Sequence, residues 1–123
     1  MKKDPLYKSF GYAFQGIGTT IKRERNIKIH LLAVICVVLV GLLVHLSKTE
    51  WLICFVLFGL VISLELVNTA IEAVVDLVTE ERKPLAKIAK DAAAGAVLVS
   101  AIMAAIIGFW IFIPRIIDFF QGL

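Results

Sequence analysis

The chain has 123 residues, 60% of them apolar and about 67% when its eight glycines are added, against roughly 45–50% in an ordinary soluble domain. With a mean hydropathy of +0.93, so short a chain has too little polar surface to cover a water-facing globule or to stay disordered. Thirteen basic and ten acidic residues leave a net charge of +3, too small without a basic patch to indicate nucleic acid. An all-α membrane protein is expected.

The first element is an N-terminal helix over about residues 5–25. Tyr7, Phe10, Phe14, Ile17 and Ile21 recur three and four apart and form one apolar stripe, with Lys8, Gln15 and Lys22 lying off it. A basic amphipathic helix beside a membrane span lies in the interface. Gly11, Gly16 and Gly18 predict fraying or a break. The run GIGTT (16–20) lacks the spacing of a phosphate-binding loop. No apolar run follows Lys2 and Lys3 until Leu31, so no secretory signal is expected.

Three apolar stretches follow, over 29–46, 51–75 and 92–113, the last ended by Pro114. Each is long enough to cross, or nearly cross, a hydrocarbon core of about 30 Å, and continuous runs in lipid are helices. His30 and His45 stand at opposite ends of the first span and cannot share a site within one chain. Cys36 and Cys54 read as small buried hydrophobes. No linker or internal repeat divides the chain, so residues 1–123 form a single domain. Lys2, Lys3, Lys8, Lys22, Arg23, Arg25 and Lys28 precede the first span, and Arg82, Lys83, Lys87 and Lys90 lie between the second and third. Only Lys48 and Arg115 lie on the other side. This asymmetry predicts a cytoplasmic N-terminus and a cytoplasmic 76–91 loop, with Trp51 and Trp110 as anchors near the outer face.

The chemistry is expected on the second span. Taking Glu65 as zero at 100° per residue, Asn68, Glu72 and Asp76 fall at roughly 300°, 340° and 20°, one arc of about 80°. Charges inside a span are functional by default, and this stripe cannot face lipid. Glu65 lies about 16 Å along the axis from Asp76. Its depth suits proton exchange with a group held at the membrane boundary, whereas Glu72, nearer water, suits a divalent metal. Glu24, within KRERN, and Lys90–Asp91 add the carboxylates and cations that hold metal and phosphates in phosphoryl transfer. A polar stripe that only joins helices is the alternative. On the third span Ala92, Ala96, Ser100, Ala104 and Gly108 form a small-residue series, fitting either a homo-oligomer or packing within the monomer.

ELVNTAIEAVVD (65–76), with KDAAAGAVL beginning at Lys90 and GYAFQG at 11–16, resembles the signature of the small bacterial integral-membrane lipid kinases, the diacylglycerol and undecaprenol kinase family. The resemblance implies an interfacial helix plus three spans, a homotrimer with active sites shared between chains, and Mg2+- and ATP-dependent phosphorylation of a lipid alcohol at the cytoplasmic face of the bacterial plasma membrane. It also implies Glu65 as general base, Glu24 and Glu72 as magnesium ligands, and Asn68 and Asp76 as supporting polar groups. Tyr12, Lys90 and Asp91 match nucleotide-contacting positions, and Glu81, Arg82 and Lys83 lie where a loop covers the nucleotide, although Pro84 stiffens that loop. ERNIKIH (24–30) and Glu50–Trp51 resemble the Gram-positive undecaprenol kinase branch more than the diacylglycerol kinase branch. A small proton-coupled transporter would need a fourth span that is not visible. A non-enzymatic oligomeric membrane protein would use the stripe for assembly alone.

Overall fold

The computed structural model describes residues 3–123, so Lys2, counted above among the basic residues, lies outside them. Four helices follow one another: α1 (Leu6–Arg23), α2 (Arg25–Leu43), α3 (Lys48–Val78) and α4 (Pro84–Gln121). Three of them, α2, α3 and α4, are long and apolar enough to cross a membrane. Most of the surface of these three is exposed in the isolated chain, as befits helices whose cover is lipid or neighbouring chains.

The amphipathic helix is present without the expected break. α1 runs through Gly11, Gly16 and Gly18, and nothing within 4 Å would meet a side chain at any of them. Three glycines weaken a helix by about 1 kcal/mol each, yet α1 stays unbroken with only its C-terminal end packed on the chain. Thr20 is buried, and Ile27, wholly buried, fills the corner where α1 turns into α2. Tyr7, Phe10 and Phe14 stay exposed, leaving the apolar stripe uncovered by the chain itself.

Helix ends differ from the apolar runs because hydropathy stops where lipid stops and backbone hydrogen bonding does not. α3 extends past 51–75 at both ends. The segment between α3 and α4 shrinks from 76–91 to the five residues 79–83, so Lys87, Lys90 and Asp91 stand on a helix. Pro84 does not stiffen the loop but starts α4, where a missing N–H costs nothing. The helix does not end at Pro114: α4 continues to Gln121 around it. A proline inside a membrane helix is tolerated when neighbours hold the segment. Arg115, the next residue, donates to Glu50 Oε1 from a terminal guanidinium nitrogen at 2.6 Å and to Oε2 from Nε at 3.2 Å.

At the α2–α3 turn, His45 takes a left-handed conformation, φ 57°. Ser47 and Glu50 then cap α3 reciprocally: the Ser47 hydroxyl accepts from the Glu50 N–H, and Glu50 Oε1 accepts from the Ser47 N–H at 2.9 Å. Trp51 is half-buried against Gly41, where a Cβ would sit 2.7 Å from its ring. Trp110 is exposed. Val44, Leu46, Cys54 and Phe112 form the small core beneath this turn. Cys54 is buried as expected, but Cys36 is exposed on α2.

α3 packs chiefly on α4 and also on α2. Its inward stripe reads Cys54, Phe58, Val61, Glu65, Asn68, Glu72, changing from apolar to polar along one face. On α4 the packing face is Ala93, Val97, Ser100 and Phe112, so only part of the small-residue series turns inward. Ala92 and Ala96 remain exposed.

Candidate active site

The stripe on α3 meets the start of α2. Glu65 is 2% exposed and Asn68 8%, Glu72 is half-buried, and Asp76 reaches solvent. The graded depth expected from helical spacing is therefore present. Asn68 Nδ2 donates toward Glu72 Oε1 at 3.4 Å, a long bond within one helix turn. Glu65 Oε1 and Asn68 Oδ1 are buried without an aligned hydrogen-bond donor among the described residues. Leaving such oxygens unpaired costs about 1–3 kcal/mol each, and in a native site that points to a ligand or to chemistry.

Sequence reading missed the residue that faces Glu65. His30 on α2 places Nε2 3.1 Å from Glu65 Oε1. The distance is right for a hydrogen bond but the ring N–H is not directed along it, which is why Oε1 is also unsatisfied. The signal was available in the hairpin geometry. Two antiparallel helices joined at 44–47 bring the early part of α2 beside the middle of α3.

Glu24 is the single extended residue between α1 and α2, with φ −103° and ψ 125°. Its backbone N–H closes α1 on the Thr20 carbonyl at 2.9 Å, while its side chain makes no cap on α2. The carboxylate is thus not spent on the helix end. Glu72 follows Glu65 by two helical turns on the same face of α3. No group of three His, Cys, Asp or Glu side chains is already gathered around one point among the described residues. Glu24 and Glu72 are hard oxygen donors of the type magnesium takes, one or two carboxylates at a time with phosphate and water in the other positions.

The remaining expected residues fall into separate places. Lys90 on α4 pairs with Asp76 on α3 at 2.6 Å, joining the two helices at the charged end of the stripe. Asp91 is paired with Lys87 on its own helix. Glu81, Arg82 and Lys83 are exposed on the short loop, Lys83 lying 3.8 Å from Glu81. The Tyr12 hydroxyl donates to Asp4 Oδ2 at 3.0 Å on the exposed side of α1.

Below Glu65, toward the α2–α3 turn, the three long helices leave an apolar groove of about 280 Å³. His30 stands at its polar end, Cys54 and Phe112 at the other, and Ala101, Ala104 and Gly108 keep its α4 wall low. An apolar slot lined at one end by the imidazole that meets a buried carboxylate suits a molecule with a hydroxyl on a hydrocarbon chain.

Residues 11–112 match the family model described as prokaryotic diacylglycerol kinase. The chain belongs to that family. Its relatives include the undecaprenol kinase of Bacillus subtilis, 53% identical over 90% of each chain. The diacylglycerol kinase of Synechocystis is 42% identical over 92% of this chain and 65% of its own length. The diacylglycerol kinase of Helicobacter pylori strain J99 is 35% identical over 88% of this chain and 80% of its own. Family and helices together make this protein a membrane lipid kinase. The transporter and pure-assembly alternatives are set aside.

Proposed function

We propose that this lipid kinase transfers the γ-phosphoryl group of ATP to undecaprenol, giving undecaprenyl phosphate, with diacylglycerol the alternative acceptor. The observation that carries the reading is the buried Glu65 carboxylate, 3.1 Å from the His30 ring that lines one end of an apolar groove. The preference for undecaprenol rests on the 53% identity to an undecaprenol kinase.

In this mechanism the groove holds hydrocarbon and brings the hydroxyl to Glu65. The carboxylate takes the hydroxyl proton as the acceptor oxygen bonds to the γ-phosphorus. The bond from that phosphorus to the bridging oxygen breaks, and ADP leaves with its electron pair. The proton rests on Glu65 until solvent accepts it. Glu24 and Glu72 would hold magnesium, which when bound neutralises phosphate charge. Asn68 orients Glu72, and Asp76 fixes Lys90 near the phosphates. Tyr12, Asp91 and the loop residues Glu81, Arg82 and Lys83 contribute to nucleotide binding.

The working unit in this reading is a homotrimer of one-domain chains in the bacterial plasma membrane, N-terminus and 79–83 loop cytoplasmic. Its active sites are shared between chains. The mostly uncovered span surfaces and the exposed Ala92–Ala96 edge support the assembly. The placement of basic residues supports the orientation.

The test is a side-by-side assay of purified protein with ATP, magnesium and each lipid alcohol. Faster phosphorylation of undecaprenol is expected. Faster turnover of diacylglycerol would reverse the substrate order, and turnover of neither would overturn the reading. Mixing inactive Glu65→Gln chains with inactive Glu24→Gln chains should recover activity if sites are shared. Recovery should be absent if each chain holds a complete site.

A further inference from the structure

We infer that His30 is a positioning residue for Glu65, and that this α2–α3 contact aims the carboxylate at the acceptor hydroxyl. The inference rests on Glu65 being the base, and it adds a residue that neither the polar stripe nor its spacing contains.

Three observations carry it. First, Nε2 of His30 lies 3.1 Å from Oε1 of Glu65, across two helices and 35 positions of sequence. Second, Oε1 is buried and no other described residue donates to it, so the imidazole is the group available to fix that oxygen. Third, His30 also lines the apolar groove and is its one titratable side chain besides Cys54. Its side chain is 25% exposed, which leaves the ring room to turn.

The chemistry follows from the inventory of the two groups. A carboxylate next to Nε2 favours the proton on that nitrogen in either the neutral or the charged imidazole. A small rotation about the ring's own bond to Cβ brings the N–H into line with Oε1. One carboxylate oxygen is then held, and the other is left to accept the hydroxyl proton. Without the donor, a glutamate in an apolar slot has several rotamers of similar energy, and only a fraction of them meets the hydroxyl. His30 makes no bond to phosphate in this scheme and moves no proton of its own.

Two amides give a direct test, because glutamine places its N–H₂ near the position of Nε2 and asparagine falls short of it. His30→Asn should lower kcat by about 10- to 100-fold, the range seen when a partner that orients a reactive group is removed. His30→Gln should recover kcat to within about fivefold of the parent, and KM for ATP should stay within about twofold in both. In the Glu65→Gln background, His30→Asn should bring little further loss, since the group it orients is gone. Melting temperature in detergent, measured alongside, gauges folding, and normalising to folded protein keeps the comparison valid if one variant is less stable. Equal kcat for His30→Asn and the parent would overturn the proposal while Glu65→Gln remains inactive. Equal losses for the asparagine and glutamine variants would overturn it as well. An active Glu65→Gln protein would instead remove the base assignment beneath it.

Discussion

Two of the three glutamates on helix α3, Glu50 and Glu65, stand fifteen residues apart and live in opposite conditions. Glu50 has every advantage of a structural carboxylate. It receives the Ser47 N–H, closes the cap of α3 and takes two hydrogen bonds from Arg115. Glu65 is more deeply buried, yet its one close partner, His30, is not aligned and Oε1 is left unsatisfied. A carboxylate whose lone pairs are filled stabilises a fold. One that is buried and still short of donors costs stability and is ready to react.

The largest expected effect falls on Glu65. Glu65→Gln should lower kcat by at least about 10²–10⁴, the range for loss of a general base. Its melting temperature should hold or rise, because a neutral amide is easier to bury. A near-normal kcat in a steady-state assay would erase the distinction between the two glutamates.

Next is the close approach at the turn. Gly41→Ala should cost about 1–3 kcal/mol by forcing Trp51 or Leu46 aside, read as a lower denaturation midpoint. Glu50→Ala should follow, at about 1–2 kcal/mol, since it removes a cap and a partly exposed ion pair. Its turnover per folded molecule should match the parent. Arg115→Met should lose less, and the double variant less than the sum of the singles. A Glu50→Ala protein that folds normally but has lost its kcat would make the two carboxylates alike. The smallest effect is His45→Gly, which relieves a left-handed backbone and should change stability by less than about 1 kcal/mol.

Much of the fold was legible because lipid imposes a simple rule. Continuous apolar runs marked three spans, and spacing at 100° placed Glu65, Asn68 and Glu72 on one inward face. Helix ends were not legible from hydropathy. α4 passes Pro114, and Arg115 beside it is tied to Glu50, a pairing across 65 positions that no local pattern announces. The glycines of α1 misled as well, since the helix runs through all three although it packs on the chain only near Thr20. At the site, periodicity within α3 revealed the acidic stripe, but His30 lies on another helix. The hairpin register decides which α2 residue meets Glu65, and that register depends on side chains at the turn.

That dependence gives the contact between Gly41 and Trp51 a second meaning. Gly41 is eleven residues from His30, about 16 Å along α2, and it lets the Trp51 ring lie directly on the backbone. The tight seat works as a gauge block: it fixes how far α2 is slid along α3 and how it is rolled. A slip of one residue would roll α2 by about 100° and present Ile29 or Leu31 to the carboxylate in place of an imidazole. The chemistry at one end of the hairpin is therefore measured out from the other, by a residue valued for having no side chain.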